Sequence, residues 1–494
     1  MKVLFLASEK EGLVKTGGLA DVVRALPAHL KRQGIDVRVM IPCYRDLLVQ
    51  NYSLRIPSLD IHLTHHDCYG SAIRQTLVDD VQVYLLEHNA FFDRGGLYNE
   101  DGGDSYNDNA LRFALLCKGA LCVCDTLDWI PDIVHCNDWQ TALAPFYLKE
   151  HFAGNTKFSH TKTVLTIHNG LFQGHAPAFL KETLGINDYF FVPEIFEDNG
   201  QINMLKGGIA LADAVTTVSP GYHDELLNKE TSHGLWQSYH AKGSAFVGIL
   251  NGCNYEHWDP EVDPDLPENY GIHNIAGKAG CKYTLQKALG LDVESPAAPL
   301  FGIVSRLSDQ KGFQYLVPAL WRYYQMAQSD TSVRPIQLAV LGSGDQWIAG
   351  QLRLLADQFP ESVSFTQGYS ESLAHQIEAG SDYFLMPSAF EPCGLNQLYS
   401  LKYGAVPIVR STGGLCDTVV GLTRNFTNQN YATGISFEQQ TDDECFEAIQ
   451  LAVTLWYDHF ELYQAIQKRG MEQDFSWRKP TEEFIRLYQK LLAH

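Results

Sequence analysis

Short apolar runs rich in β-branched residues recur along the first half of the chain and alternate with longer segments of helical period. The runs lie at residues 3–7, 37–41, 81–86, 133–136, 163–167 and 214–218. The segments 111–122 and 141–151 between them repeat apolar side chains at a helical spacing. Runs that are apolar throughout indicate strands of a parallel sheet that is covered by helices on both faces. The first half therefore predicts one doubly wound α/β domain.

The same alternation restarts after Asn251 and a stretch rich in Asp, Pro and Glu around residue 262. Further strands are expected at 300–304, 336–341, 363–366, 383–386 and 406–409. Residues 481–492 predict an amphipathic helix. Its apolar side consists of Phe484, Ile485, Tyr488, Leu491 and Leu492. The second half therefore predicts another doubly wound domain.

From this organisation we predict an N-terminal Rossmann-like domain over residues 1–248 and a C-terminal one over residues 249–475. A last helix at 476–494 follows the second domain. In open α/β sheets, ligands bind beyond the carboxyl ends of the strands. We therefore expect the two domains to face a central cleft and to supply loops to one site.

The composition is that of a globular protein, with 45% hydrophobic and 19% charged residues among 494. Its formal charge of −21 repels nucleic acid and anionic membranes at long range. No apolar stretch approaches the roughly 18 residues of a membrane span, and the eleven scattered cysteines contain no CxxC pair. We expect a soluble cytoplasmic enzyme without nucleic-acid or membrane partners, which captures any phosphate through local cations.

Glycine turns and cations follow several of the expected strands. Lys15 to Gly18 (KTGG) follows the first strand, where glycine amides and a lysine suit a phosphate. The spacing matches neither a P-loop nor GxGxxG, so a plain strand-to-helix turn is the alternative.

Arg306 and Lys311 are expected on a loop after the strand at 300–304, where both can reach a diphosphate. Surface charge at the start of a helix is the alternative there.

The densest motif runs from residue 388 to residue 419. Glu391 follows an apolar strand, and Gly394 lies where the chain turns into a helix expected at 395–403. The turn Thr412 to Gly414 (TGG) repeats this arrangement one strand later. Exposed amides there suit a phosphate and Glu391 suits sugar hydroxyls, whereas a carboxylate that only caps the helix is the alternative.

Two strand ends of the first domain, 135–139 (HCNDW) and 166–170 (TIHNG), gather polar side chains beside Trp139. Such a set suits a sugar, although a histidine at a strand end is equally often structural. Two possible metal motifs are rejected. The DxD at 263–265 lies in the Pro-rich loop with no strand before it, and residues 65–68 (HHDC) indicate a solvated loop.

In chain order, these motifs resemble the bacterial glycogen synthase and plant starch synthase family. They are KTGGLADV from residue 15, HCNDW from 135, TIHN from 166, SRLSDQKG from 305, FEPCGLNQLYSLKYG from 390 and STGGLCDTV from 411. The resemblance covers nearly the whole chain and implies a GT-B fold with two Rossmann-like domains, in which the last helix (476–494) packs back on the first domain. It also implies transfer of glucose from ADP-glucose to the non-reducing end of an α-1,4-glucan, with retention of configuration and without a metal or other cofactor.

The resemblance also implies roles for residues at matching positions. The catalytic set is Asp138, His168, Arg306, Lys311 and Glu391. The donor set is Lys15, Gly18, Arg306, Lys311, Tyr369, Cys393, Gly394, Asn396, Thr412, Gly413 and Gly414. The acceptor set is Tyr98, Trp139 and Asn169. Tyr369 is expected to stack on adenine, and a front-face route is expected for retention, with Asp138 as the one obvious carboxylate on the first domain.

Some positions depart from the family pattern. Residues 9–12 (EKEG) are charged where the family is apolar or contains proline, and Tyr399 stands where many related transferases carry a second glutamate. Alternatives to the expected activity are another retaining GT-B transferase that makes sucrose or trehalose phosphates, a catalytically silent glucan-binding regulator, and a nucleotide-dependent oxidoreductase.

Overall fold

The apolar run Lys2–Leu6 forms a strand that is buried along nearly its whole length, as expected for an inner strand of a parallel sheet. The structure is a computed structural model that describes residues 1–48, 51–100, 103, 105–294 and 298–493. The chain folds into two compact units. Unit 1 comprises Met1–Gly252 and Trp477–His494, and unit 2 comprises Cys253–Ser476.

Unit 1 alternates strands and helices, with an antiparallel extension. Its elements up to residue 252 are β1 (Lys2–Leu6), α1 (Gly18–Arg32), β2 (Asp36–Pro42), β3 (Ser53–Ile61), β4 (Tyr69–Val78), β5 (Val81–Glu87), α2 (Asn89–Phe92), α3 (Asn109–Thr126), β6 (Ile133–Asn137), α4 (Ala144–Glu150), β7 (Lys162–Ile167), β8 (His175–Pro177), β9 (Glu197–Asp198), β10 (Gln201–Asn203), α5 (Met204–Leu211), β11 (Ala214–Thr217), α6 (Pro220–Leu227), α7 (Trp236–Lys242) and β12 (Phe246–Gly248).

Among the described residues, the main sheet of unit 1 has the order β12-β11-β7-β6-β1-β2-β5-β4-β3. The strands from β12 to β5 pair in parallel, whereas β4 pairs antiparallel with both β5 and β3. A small antiparallel sheet, β8-β10-β9, lies apart from it. The parallel strands β1, β6 and β7 therefore all end at one edge of the main sheet, where the first-domain motifs begin.

Unit 2 is doubly wound. Its elements are α8 (Gly277–Leu289), β13 (Leu300–Leu307), α9 (Phe313–Ser329), β14 (Gln337–Gly344), α10 (Gln346–Gln358), β15 (Val363–Gln367), α11 (Glu371–Gly380), β16 (Tyr383–Met386), α12 (Asn396–Tyr403), β17 (Val406–Arg410), α13 (Gly413–Thr418), β18 (Gly421–Leu422), β19 (Gly434–Phe437), α14 (Asp442–Asp458) and α15 (Phe460–Met471). Across the described residues its sheet is parallel, in the order β15-β14-β13-β16-β17-β19-β18.

Alternate side chains of the unit 2 strands enter two different cores. Phe301 and Tyr383 pack in a cluster with residues of α9, α10 and α14, whereas Leu300 and Phe384 pack in a second cluster with residues of α8 and α11. Successive side chains of a strand point to opposite faces of a sheet, so apolar residues at every position require helices on both faces. This arrangement confirms the predicted doubly wound fold of the second half.

The last helix, α16 (Arg478–Leu492), belongs to unit 1 and contacts α1. Phe484 and Tyr488 are buried, and the Tyr488 hydroxyl lies 2.6 Å from Nδ1 of His135 on β6. Leu492, predicted on the apolar side, is instead 38% exposed in the final turn of the helix. None of the helices within the described ranges combines the length and the apolar character that a membrane span requires.

Candidate active site

In unit 2, Lys311 and Glu391 form a close and mostly buried ion pair. Lys311 Nζ lies 2.5 Å from Glu391 Oε2, and the side chains are 18% and 8% exposed. The Ser388 hydroxyl donates a second hydrogen bond, of 2.8 Å, to the same carboxylate oxygen. A buried charge is costly without its partner, so the pair fixes both side chains in one geometry. The structure thus brings together two residues that lie 80 positions apart.

The turn that carries Lys311 packs against the segment that carries Glu391 because of a glycine. Gly312 has a φ of +76°, and a Cβ atom there would lie 1.9 Å from the carbonyl oxygen of Pro387. The Ala389 amide donates a 2.8 Å hydrogen bond to the Gln310 carbonyl. Only glycine combines this backbone conformation with this close approach.

Arg306 lies within β13 rather than on a loop, which corrects the prediction for this residue. The strand does not end at Val304, because β14 runs on to Gly344 and pairs with β13 as far as Leu307. Arg306 is exposed at the carboxyl end of the strand. Because Arg306 lies in a regular strand, its backbone has fewer accessible conformations than it would have in a loop.

The two glycine turns predicted to lie side by side are in direct contact. The Gly414 amide donates a 3.0 Å hydrogen bond to the Glu391 carbonyl, and a Cβ atom at Gly414 would lie 2.3 Å from the Cys393 carbonyl oxygen. Gly413 and Gly394 both have positive φ, of +44° and +76°. Thr412 precedes α13 directly. The turns therefore form one glycine-dependent surface beside Glu391.

Asn396 begins α12, and its Nδ2 donates a 2.6 Å hydrogen bond to the Val304 carbonyl on β13. Cys393 is buried, and Nε2 of the Gln397 side chain donates to its carbonyl oxygen. Tyr369, the predicted adenine platform, follows β15 and is 70% exposed. The donor residues predicted for the second domain therefore lie at the carboxyl ends of unit 2 strands, in the turns that follow them, or at the starts of the next helices.

In unit 1, Asp138 connects the two polar strand ends. Its backbone has a φ of +57°, which is rare for a residue with a Cβ atom. Its amide donates to the Thr166 carbonyl at 2.9 Å, and its Oδ1 accepts the His168 amide at 2.7 Å. Burial raises the pKa of Asp138 to about 7, although the His168 amide acts in the opposite direction.

His168 lies beside Asp138 and is neutral at ordinary pH. Burial lowers the pKa of its imidazole to about 3. Its Nε2 lies 2.9 Å from Oδ1 of Asn137, an amide oxygen that can only accept, so this ring nitrogen carries the proton. A neutral histidine at this strand end can exchange hydrogen bonds with hydroxyl groups without introducing a charge.

The predicted acceptor residues lie near the same edge of the sheet. Trp139 and Tyr98 both pack against Phe113, with ring centroids 5.2 and 6.0 Å apart. The Tyr98 hydroxyl lies 3.0 Å from Glu9 Oε1. Asn169 Oδ1 accepts the Leu171 amide at 3.1 Å. The two aromatic rings are thus joined through Phe113, and Asn169 lies beside Asp138, whose Oδ1 accepts the Asn169 amide at 3.4 Å.

Lys15 is paired with carboxylates rather than left open. Its Nζ lies 2.6 Å from Asp21 Oδ1 and 3.1 Å from Glu11 Oε1. Burial alone would lower the pKa of Lys15, but Asp21 and Glu11 together raise it above its usual value. Helix α1 begins at Gly18. An incoming phosphate would compete with these two carboxylates for the lysine.

Sequence reasoning missed Glu9, Asn137 and Ser388 as members of these clusters. Glu9 is only 3% exposed and accepts hydrogen bonds from Thr16, Gly17 and Tyr98. The available signal was its place, three residues after an apolar strand and before the lysine turn. Asn137 and Ser388 likewise end or follow strands next to residues that were predicted.

In the rejected DxD at 263–265, Asp263 is buried, whereas Pro264 is exposed. Asp263 Oδ2 accepts hydrogen bonds from His375 Nδ1 at 2.7 Å and from the Tyr403 hydroxyl at 2.6 Å. Within the described part of the chain, Asp263, Asp265 and His375 place their ligand atoms within 4.8 Å of one another. Burial opposes ionisation of Asp263, but hydrogen bonds from His375 and Tyr403 lower its pKa below the usual value. The carboxylate ties this segment to α11 and α12.

Two family models match most of the chain. Residues 2–240 match the starch synthase catalytic domain, and residues 298–452 match the glycosyl transferases group 1. Glycogen synthase from Aeromonas salmonicida is 41% identical over 502 aligned residues, which cover 100% of this chain and 99% of that protein. Glycogen synthase from Geotalea daltonii is 40% identical over 495 residues, with 100% and 99% covered.

Solved structures give the same picture. The catalytic domain of starch synthase IV from Arabidopsis thaliana, bound to ADP and acarbose, superposes with a TM-score of 0.90 at 29% identity, covering 100% of this chain and 99% of that one. Sucrose-phosphate synthase from Thermosynechococcus elongatus gives a TM-score of 0.59 at 17% identity. The latter likeness extends to the fold alone.

Proposed function

The chain belongs to the glycogen synthase and starch synthase family of GT-B glycosyltransferases, and from this premise we propose that it is a glycogen synthase. It transfers glucose from ADP-glucose to the non-reducing end of an α-1,4-glucan, with retention of configuration, and it releases ADP. The observation that carries this proposal is the buried Lys311–Glu391 pair beside two contacting glycine turns. A fixed cation next to two glycine turns suits a diphosphate leaving group.

The chemistry requires positive charge where the donor bond breaks. As the bond between the anomeric carbon and the phosphate lengthens, negative charge grows on the diphosphate and the sugar becomes oxocarbenium-like. Lys311 and Arg306 on unit 2 are proposed to stabilise this charge in place of a metal ion. Lys15 on unit 1 is proposed as a donor-binding residue that would exchange Glu11 and Asp21 for phosphate oxygens.

The sugars need hydrogen-bonding partners for their hydroxyl groups and aromatic side chains against which their apolar faces can pack. Asp138 and His168 are proposed to hold sugar hydroxyls, and Trp139, Tyr98 and Asn169 to bind the glucan. Glu391 is proposed to accept from a hydroxyl of the donor glucose through the oxygen that Lys311 and Ser388 leave open. Retention is proposed to follow a front-face route, in which the departing phosphate receives the proton of the incoming hydroxyl. Trapping of a glucosyl ester on Asp138 would refute that route.

A panel of donors and acceptors tests the proposal. The purified chain is offered ADP-glucose or UDP-glucose, each with glycogen or with fructose 6-phosphate, in the presence and absence of EDTA. We expect transfer from ADP-glucose to glycogen, unchanged by EDTA. Formation of sucrose phosphate, a preference for UDP-glucose, or loss of activity on chelation would each contradict part of the proposal.

A further inference from the structure

Glu9 is a buried carboxylate for which the proposed chemistry has no use. It lies between Tyr98 and the lysine loop, defined here as residues 15–18, and it is only 3% exposed. Resting on the proposed function, we propose that Glu9 is a positioning residue. It holds the lysine loop in the conformation that presents Lys15 to the donor diphosphate, and it couples this loop to Tyr98.

The first support is the number of loop groups that end on this one side chain. Glu9 Oε2 accepts the Thr16 amide at 2.5 Å and the Gly17 amide at 3.4 Å. Glu9 Oε1 accepts the Thr16 hydroxyl at 2.9 Å. Both residues that directly follow Lys15 therefore donate hydrogen bonds to the same carboxylate. The backbone that carries Lys15 cannot shift without breaking these bonds.

The second support is the way α1 begins. Gly17 is the residue before the helix and has no side chain with which to cap it. Amides at a helix start need acceptors, and negative charge is favourable there. Asp, Asn, Ser or Thr usually supplies such an acceptor from the chain itself. Here Glu9, three residues beyond β1, supplies acceptor oxygens to the turn before the helix instead.

The third support is the link to the proposed acceptor site. The Tyr98 hydroxyl lies 3.0 Å from Glu9 Oε1 and 2.7 Å from the Ser8 hydroxyl. Tyr98 in turn packs on Phe113, which also contacts Trp139. One carboxylate thereby joins the lysine loop to the side chains proposed to hold the glucan.

The acceptor oxygens of Glu9 decide which substitution should retain this role. Burial raises the pKa of Glu9, and the hydrogen bonds from Thr16 and Tyr98 oppose this rise without cancelling it. The Thr16 and Gly17 amides can only donate, so they need an acceptor oxygen on residue 9. A glutamine retains one such oxygen and can turn its amide group toward the two hydroxyls. An alanine retains no acceptor oxygen. Comparison of Glu9→Ala with Glu9→Gln therefore tests whether an acceptor oxygen at residue 9 is enough to restore activity.

The experiment compares Glu9→Ala, Glu9→Gln and the wild-type chain in steady-state transfer from ADP-glucose to glycogen. Misplacing a catalytic group by about 1 Å costs on the order of 100-fold in rate, so we expect Glu9→Ala to lose up to about 100-fold in kcat/KM for ADP-glucose. Glu9→Gln should recover most of that loss. The control Asp132→Asn removes a carboxylate that accepts the Lys2 amide at the opposite end of β1, and it should stay within about twofold of wild type.

A double-mutant cycle separates positioning from general damage. If Glu9 acts through Lys15, Glu9→Ala should cost less than about threefold when added to Lys15→Ala, because the group it positions is already gone. Losses that multiply in full would overturn the inference. Should Glu9→Ala fail to fold, Thr16→Val removes the hydroxyl donor alone and enters the same cycle.

Hydrogen exchange tests the loop without reference to turnover. The Thr16 and Gly17 amides should exchange slowly in the wild-type chain, slowly in Asp132→Asn, and at least about tenfold faster in Glu9→Ala. Unchanged exchange in Glu9→Ala would overturn the inference. An inactive wild-type chain would overturn the proposed function instead, and the exchange result would still decide whether Glu9 holds the loop.

Discussion

Asp138 shows how a single residue can be held in an unfavourable state. A positive φ costs a residue with a Cβ atom about 1–3 kcal/mol, and burial opposes the ionisation of its carboxylate. The hydrogen bonds to Thr166 and His168 compensate, since they fix the backbone and one carboxylate oxygen. Strain of this kind concentrates at functional sites, which supports the proposed role of Asp138.

The pKa of Asp138 predicts a pH dependence of stability. The folded chain keeps this carboxyl protonated up to about pH 7, whereas an unfolded aspartate ionises near pH 4. The contribution is therefore complete below about pH 4 and is lost as the pH rises through about 7. An asparagine accepts the same amides without a charge to bury. We expect the melting temperature of Asp138→Asn, relative to wild type, to rise between pH 4 and pH 8; a constant difference would contradict the assignment.

Lys311 predicts a large effect on turnover, together with some loss of stability, because its removal leaves the buried Glu391 carboxylate without its cation. By analogy with lost oxyanion donors, Lys311→Ala should slow glucosyl transfer by roughly 100- to 1000-fold. Lys157, which pairs with Asp125 and Asp128 on the surface of unit 1, is the control, because Lys157→Ala removes a paired lysine away from the proposed chemistry. Equal activities of the two variants, measured with circular dichroism to check folding, would contradict the role of Lys311.

At the scale of elements, the sequence predicts the parallel strands well, because their apolar runs leave little choice of environment. It misses the β3–β4 hairpin, since β3 is mostly exposed, with only Ile56 and Ile61 buried, and carries no long apolar run. It also ends β13 too early, because the pairing with β14 continues through polar residues. The extra length of β13 depends on pairing with β14, which is a tertiary contact that the local sequence pattern does not predict.

The residues of the candidate site could likewise be predicted from the sequence only in part. The glycine turns and cations at strand ends are visible in the sequence, because the chemistry requires those residue types. The partners of Lys15 and the burial of Glu9 are not visible, since both depend on how a loop folds back on the first helix. The assigned roles of these residues remain predictions.

The contact between the two glycine turns gives a prediction for an element. In Gly414→Ala, the new methyl group would overlap the Cys393 backbone and push the turns apart. We expect turnover to fall by at least about tenfold, since shifts near 1 Å at a site cost up to about 100-fold. Gly350, inside α10 with open space at its Cβ position, is the matched control. Gly350→Ala should keep full activity and gain about 0.5–1 kcal/mol of stability.

At the scale of the whole molecule, the chain leaves unit 1 after Gly252 and returns to it at Trp477. A Cβ atom at Gly252 would lie 2.6 Å from the Trp477 ring, so the departing and returning segments pack closely within unit 1. The final helix, α16, then contacts His135 through the Tyr488 hydroxyl. The stability of the first unit therefore depends on residues at the far end of the sequence.

This dependence is testable on α16. Tyr488 is fully buried, and Tyr488→Ala should lower the free energy of unfolding of unit 1 by about 3–5 kcal/mol. Leu492→Ala, on the same helix but at an exposed position, should change it by less than about 0.5 kcal/mol. Calorimetry should show that Tyr488→Ala shifts one transition and spares the other. A uniform shift of both transitions would contradict the assignment of α16 to unit 1.

The net charge of −21 repels an anionic donor at long range, so binding must rely on fixed cations close to the site. Transfer of glucose from ADP-glucose is the central claim, and the most direct measurement follows both products of one reaction. With labelled ADP-glucose and glycogen, each ADP released should be matched by one glucosyl residue in α-1,4 linkage on the glucan. Release of ADP without growth of the glucan, or no reaction with ADP-glucose at all, would contradict it.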